Sequence, residues 1–326
     1  MQAIIFDHPG DAEVLQLAEV ADLQPQAGEL LIRVHATAVN RADILQRRGM
    51  YPAPAGASEI LGLEIAGEVI DHGAGVTAPA LGTRICALLP GGGYAQQVVI
   101  PAALAMPIPD SLSYEQAAAI PEVWMTAYDN LFNWGRLSAG ERLLVHGGSS
   151  GIGTAAIQLA GWRGAEVIIT AGSEQKIERC RELGAVAGIN YRTENWPERL
   201  QELTDHQGVD VVLDMLGGSY FNANLASLRV GGRLVIIATM GGAQTELDLR
   251  TLMLKRLTVC GTTLRARPIA AKAALTQQML QDVLPRFADG TFTPVIEAVF
   301  DLAEASAAHR LLESSQHVGK IVLRVG

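Results

Sequence analysis

The run Leu143-Leu144-Val145-His146-Gly147-Gly148-Ser149-Ser150-Gly151-Ile152-Gly153-Thr154 carries a buried-strand pattern into a glycine-rich turn and then into a helix. Glycine lets a backbone turn sharply and approach a pyrophosphate, and the free N–H groups opening the next helix favour its negative charge. Ser150, Gly151, Ile152 and Gly153 stand where those contacts would form. The spacing reads G-x-x-G-x-G rather than the strict G-x-G-x-x-G, so the neighbouring elements have to support the reading.

A second group of residues lies where a dinucleotide's adenosine ribose would fall, roughly twenty residues beyond the turn. The sequence there is Ile169-Thr170-Ala171-Gly172-Ser173-Glu174-Gln175-Lys176. Small side chains at Gly172 and Ser173 leave room for a 2′-phosphate, and Lys176 would neutralise it, which favours NADPH. Glu174 argues against this if it faces the ribose, although an acid in the first turn of a helix is equally explained by the dipole. Met240, Gly241 and Gly242 follow the fifth predicted strand, and Leu264 and Arg265 follow the sixth, at the carboxyl edge where open α/β sheets bind ligands. A plain turn at Gly241-Gly242 and a surface cation at Arg265 explain them as well.

The elements that would position these groups alternate regularly. Arg142–His146, Glu166–Thr170, Gly188–Tyr191, Val209–Asp214, Arg233–Ala238 and Leu257–Gly261 read as strands, with amphipathic helices between them. Those over Thr154–Arg163 and Glu174–Leu183 close on Gly164 and Gly184, which suit C-terminal caps. Alternation of this kind predicts a doubly wound, parallel six-stranded Rossmann sheet covered on both faces. His146, like His35 and His72, has no second ligand at helical spacing and reads as structural.

The remainder has another texture. Between Val14 and Asp110, β-rich stretches at Glu29–Thr37, Glu64–His72, Thr83–Leu89 and Ala95–Ile100 are broken by glycine and proline, the pattern of a compact β-rich domain. Ser113-Tyr114-Glu115-Gln116 then supplies a capping box. Beyond Gly261 the pattern predicts a helix over Ala270–Phe287, a strand over Val295–Phe300, a helix over Ala303–Ser314 and a closing strand over Lys320–Val325. These last elements need a sheet to join, and the simplest topology returns them to the first domain. The domains are then 1–120 with 265–326, and 121–264.

Composition excludes several functions. A net charge of −9 and an isoelectric point near 5.3 argue against nucleic acid or an anionic membrane as the main partner. No stretch is apolar enough to span a bilayer, and Met1–Asp7 lacks the charge and apolar core of a secretion signal. Cys86, Cys180 and Cys260 are isolated, as in a reducing compartment. A cytoplasmic location is expected.

Five strings in order, Ala38-Val39-Asn40-Arg41-Ala42-Asp43, Leu61-Gly62-Leu63-Glu64-Ile65-Ala66-Gly67, the glycine turn, Gly261-Thr262-Thr263-Leu264-Arg265, and Gly319-Lys320-Ile321-Val322-Leu323, carry a family resemblance over the whole chain. The chain resembles the zinc-independent quinone oxidoreductases of the medium-chain dehydrogenase/reductase superfamily, and among them the p53-inducible branch. The resemblance implies a GroES-like β-rich catalytic domain built from both chain ends, a Rossmann domain in the middle, and a cofactor cleft between them. It places Tyr191 against the 2′-phosphate, Thr126 near the nicotinamide, and Lys320 among the cofactor contacts, although Lys320 equally begins an edge strand. Where zinc-using relatives carry their metal ligands this chain has Asn40, Leu63 and a position near Glu122, so no catalytic zinc is expected.

Without a metal, hydride transfer from NADPH to a quinone needs orientation, exclusion of water and a hydrogen-bond donor to the developing oxyanion. Asn40 and Tyr51, on what resembles the substrate side, are the polar candidates; a loop-structuring amide and a turn aromatic are the plain alternatives. An enoyl-thioester or alkenal reductase would use the same hydride but needs a proton donor at carbon and, for acyl carriers, a basic entrance. A crystallin-like or sensing protein would bind NADPH without turnover. The sixth strand should form an unprotected sheet edge, which points to a homodimer or a dimer of dimers.

Overall fold

A computed structural model describes the whole chain, Met1–Gly326. It divides into two compact units, one of Met1–Met125 with Leu264–Gly326, the other of Thr126–Thr263.

The central unit is a parallel α/β sheet of six strands. In spatial order they are Ala187–Asn190, Glu166–Ala171, Arg142–His146, Val209–Asp214, Leu228–Ile236 and Thr258–Gly261. In chain order this is 3-2-1-4-5-6, so the order reverses beside Arg142–His146, the edge where such sheets take dinucleotides. The strands are β-branched and apolar because both faces are covered; Leu143, Val145, Val167, Ile169 and Val211–Leu213 have no exposed surface. The first helix begins at Gly151 rather than Thr154, because Ser150 caps it directly by accepting from the Gly153 N–H at 3.0 Å. Gly164 and Gly184 follow the first two helices in the left-handed region, as their C-cap role requires. The fifth strand starts earlier than its apolar run, at Leu228, and Thr258–Gly261 ends the sheet as an edge.

The other unit holds a seven-stranded sheet. Glu29–Val39 is its axis, antiparallel to Glu64–His72, Gln97–Pro101 and the C-terminal Lys320–Arg324. The C-terminal elements therefore return to the first domain, with Ile296–Asp301 lying parallel to Lys320–Arg324. Lys320 thus opens an interior strand, not an edge strand. Leu30, Ile32, Ile65, Ile85, Ile100, Ile321 and Leu323 fill the core between these strands. The helix expected over Ala270–Phe287 is broken into Ile269–Gln278, a wider π turn over Met279–Val283, and Leu284–Ala288. Pro285 accounts for this, since it brings no N–H and its ring clashes with the carbonyl four residues back.

Candidate active site

At the carboxyl end of Arg142–His146 the backbone turns through Gly147 and Gly148. The Gly148 N–H donates to Thr170 O at 3.0 Å. A Cβ on Gly153 would meet the carbonyl oxygens of Gly147 and Gly148, so glycine is required for the helix to start against the turn. The amides of Gly151 and Ile152 open that helix, and both residues are half-buried. This is the arrangement that holds a pyrophosphate. Below it, buried His146 is tied to Thr170 Oγ1 at 3.1 Å and Asn224 Oδ1 at 2.7 Å. Burial lowers its pKa to about 4, so it stays a neutral support, as the sequence indicates.

The next strand ends at a polar corner. Ser173 caps the helix Glu174–Glu182, accepting from the Lys176 N–H at 3.4 Å. A Cβ on Gly172 would stand 2.8 Å from Tyr191 Oη and 3.2 Å from Arg192 Nε, so an exposed tyrosine and an arginine converge on that glycine. Glu174 takes a hydrogen bond from Asn190 Nδ2 at 3.0 Å, which gives its carboxylate a partner on the neighbouring strand's end. Arg192 is the residue sequence reasoning missed; its signal was a cation following Tyr191 directly after the third strand.

Met240, Gly241 and Gly242 form a turn laced to the one after the fourth strand. Gly241 N–H donates to Leu216 O at 2.7 Å and Gly218 N–H to Gly242 O at 2.8 Å, while the Met240 side chain stays exposed. Buried Thr126 accepts at its carbonyl from Asn130 Nδ2 at 2.8 Å, and Thr262 donates to Asn130 Oδ1 at 2.6 Å.

In the β-rich unit the helix Arg41–Arg47 begins at Asn40, whose N–H donates to Asp43 Oδ2 at 2.8 Å. Asn40 Nδ2 donates to Glu64 Oε1 at 2.8 Å and to Ala38 O at 3.3 Å. Its oxygen accepts from Lys320 Nζ at 2.5 Å. The Lys320 ammonium also bonds Glu64 Oε1 at 2.8 Å and Val39 O at 3.1 Å, and Glu64 Oε2 accepts from the Glu122 N–H at 2.8 Å. An amide has two protons and an ammonium three. All are engaged here, in a cluster where Glu64 is fully buried and Lys320 is 4% exposed.

Two expectations are corrected by these bonds. Asn40 is a positioning residue in this structure, since no amide proton is left for a substrate oxygen. Lys320 is a buried ion-pair partner, with no proton left for a cofactor. The residues after the sixth strand are placed as follows. Leu264 and Arg265 belong to the β-rich unit, Arg265 as the boundary at 265 expects, and the Arg265 guanidinium is buried and not a surface cation. It is 5% exposed and donates to Pro90 O at 2.7 Å, Gln46 Oε1 at 2.6 Å and Tyr51 O at 3.4 Å, with its cation 5.3 Å from the Tyr51 ring centre. The Tyr51 hydroxyl makes no hydrogen bond within the chain and is the remaining candidate donor.

The same cluster decides the fit of a metal. Asn40, Leu63 and Glu122 offer one carboxylate among them, and a buried ammonium already sits against Asn40 and Glu64; a catalytic zinc needs three N, S or O ligands, and these residues do not provide them. Glu122 lies instead where burial and the charges of Glu64 and Asp43 oppose ionisation, with Lys320 favouring it, and its pKa rises to about 7.

Residues 26–110 match the alcohol dehydrogenase GroES-like domain, and residues 151–284 match the zinc-binding dehydrogenase model, whose metal the first unit does not accommodate. A quinone oxidoreductase of Rattus norvegicus is 32% identical over 326 residues, 99% of this chain and 97% of its own. The chain belongs to the medium-chain dehydrogenase/reductase superfamily. A mycocerosic acid synthase-like polyketide synthase of Mycobacterium tuberculosis is 31% identical over 97% of the chain, which spans only 15% of that protein's length. Among solved structures, the Escherichia coli quinone oxidoreductase complexed with NADPH superposes with a TM-score of 0.90, at 30% identity over 99% of this chain and 100% of that one. The JamJ enoyl reductase superposes with a TM-score of 0.89, at 26% identity over 100% of this chain and 99% of that one.

Proposed function

We propose that this protein is an NADPH-dependent quinone oxidoreductase that works without a metal. The observation that carries the cofactor is the corner of Gly172, Ser173, Lys176, Tyr191 and Arg192, with small residues for room and two cations for a 2′-phosphate. Ser150, Gly151, Ile152 and Gly153 hold the pyrophosphate, Met240–Gly242 flank the dinucleotide at the carboxyl edge, and Thr126 lies toward the nicotinamide. NADPH, when bound, supplies the hydride. The chain contributes orientation, exclusion of water, and the Tyr51 hydroxyl as donor to the acceptor oxygen. Asn40 sets the loop ahead of its helix through Lys320 and Glu64.

The full-length correspondence with quinone oxidoreductases supports the acceptor class. The five sequence strings from Ala38 to Leu323 support the p53-inducible branch within it, and three free cysteines suit the cytoplasm. No helix is long and apolar enough to cross a membrane. We further propose a homodimer formed by pairing of the edge strand Thr258–Gly261 with its symmetry mate.

Enoyl-thioester reduction is the second reading, and one observation favours it: Glu122, with its pKa near 7, is a proton source of the kind that carbon protonation requires. NADPH oxidation with ortho-naphthoquinone and with an enoyl thioester separates the two. We expect turnover of the quinone. Turnover of the thioester alone would overturn this reading in favour of the second, and NADPH binding with neither turnover would leave a binding protein.

A further inference from the structure

A dinucleotide on a sheet of order 3-2-1-4-5-6 divides where the order reverses, with one mononucleotide half on either side. The polar corner after Glu166–Ala171 takes the adenosine half, so the nicotinamide half falls to the carboxyl ends of Val209–Asp214, Leu228–Ile236 and Thr258–Gly261. Thr262 stands at that edge. It follows the sixth strand directly, and its N–H donates to Ile236 O, at the end of the fifth, at 3.0 Å.

One buried side chain ties this edge to Thr126. Asn130, 2% exposed, donates from Nδ2 to Thr126 O at 2.8 Å and accepts at Oδ1 from the Thr262 hydroxyl at 2.6 Å. The neighbours fix the orientation of the amide: a backbone carbonyl can only accept, so the nitrogen faces Thr126 and the oxygen faces Thr262. Aspartate has the same shape but no donor, and leucine has neither group. The helix changes here from α over Pro121–Tyr128 to π over Asp129–Trp134, a distortion that occurs mostly as single turns and often at functional sites.

Thr126 keeps a free donor. Thr154 and Thr276 return their hydroxyls to carbonyls of their own helices, Gly151 O and Lys272 O, at 3.0 Å each. The Thr126 hydroxyl makes no such bond, nor any other within the chain, although the residue is only 9% exposed. A buried hydroxyl without a partner, one side chain away from the nicotinamide edge of the sheet, suits a carboxamide.

We propose that Asn130 is a positioning residue for the nicotinamide: by bridging Thr126 to the end of the sixth strand, it holds the Thr126 hydroxyl against the carboxamide of NADPH. The proposal rests on the NADPH site described above, which it deepens, and is independent of the acceptor.

The test sets Asn130→Leu, Thr262→Val and Thr262→Ser beside wild type and reads two dissociation constants by isothermal titration. One is for NADPH, the other for 2′-phospho-ADP-ribose, which keeps the adenosine phosphates and lacks the nicotinamide. Asn130→Leu should weaken NADPH about tenfold, the scale of one net hydrogen bond, and leave 2′-phospho-ADP-ribose unchanged. Thr262→Val should act in the same way, and Thr262→Ser, which keeps the donor, should match wild type. Thr262 is half-buried, so its variants carry the test should Asn130→Leu fail to fold. Equal weakening of both ligands would make the bridge a general support of its unit and overturn the positioning role, as would an NADPH affinity untouched by Asn130→Leu and Thr262→Val. A wild type that binds neither ligand would instead remove the cofactor reading on which the bridge depends.

Discussion

Two helices in this protein begin beyond the end of a strand and meet opposite fates. Ser150 and Asn40 each follow a strand and stand at the N-cap of a helix. After Ser150 the residues are glycines and an isoleucine, the cap is completed within one turn, and backbone N–H groups open the helix without side chains over them. At Asn40 the side chain is instead closed off by partners from distant parts of the chain, Lys320 from 280 residues away and Glu64 from 24, together with Ala38 nearby. A helix start thus becomes a ligand site or a structural joint according to what folds onto it.

The sealed joint should show its nature most strongly when opened. Lys320→Met leaves the fully buried Glu64 carboxyl without its counter-ion, and we expect a loss of about 3–5 kcal/mol in urea unfolding. Adding Glu64→Gln should recover much of that loss. A near-neutral Lys320→Met would show that the joint carries little stability.

At the open helix the effect should fall on binding. Gly153→Val drives a side chain into the Gly147 and Gly148 carbonyls and displaces the amides beside it, which should weaken NADPH at least ~100-fold, or about 3 kcal/mol. Titration by nicotinamide fluorescence checks this, with far-UV circular dichroism showing that the fold persists.

A subtler difference lies in pH. The folded protein holds the Glu122 proton up to about 7 against an ordinary value of 4.5, so between those values the native state binds more protons than the unfolded chain and stability falls as pH rises. Burial also raises Asp43 to about 6, with the same sign over a lower window. Glu122→Gln should therefore match wild type near pH 4 and exceed it at pH 8 by about 2 kcal/mol, less than the full shift because Glu122 retains some solvent contact. A gain independent of pH would assign the effect to packing instead.

The contrast also explains what the sequence could and could not convey. Strands such as Arg142–His146 and Val209–Asp214 are bounded as their periodicity predicts, because local apolar runs and glycine caps determine them. Ser150 and Ser173 likewise cap the helices they precede. Asn40, Arg265 and Lys320 have side chains whose types suit substrate or cofactor contacts, and only folding shows their donors turned inward. The π turn before Pro285 is hidden for a related reason: the helical pattern persists through it while one hydrogen bond is lost. Arg192 lies in plain view, yet its approach to Gly172 depends on the pairing of Ala187–Asn190 with Glu166–Ala171.

The central claim, that the polar corner after the second strand is an open site for a 2′-phosphate, is tested most directly by the ratio of NADH to NADPH dissociation constants in wild type and in Lys176→Ala. The account predicts that wild type binds NADPH at least ~10-fold more tightly than NADH and that the variant loses most of this preference by weakening NADPH alone, as removal of one charge-assisted contact should. A wild-type protein that binds the two equally, or a variant that weakens both alike, would contradict it.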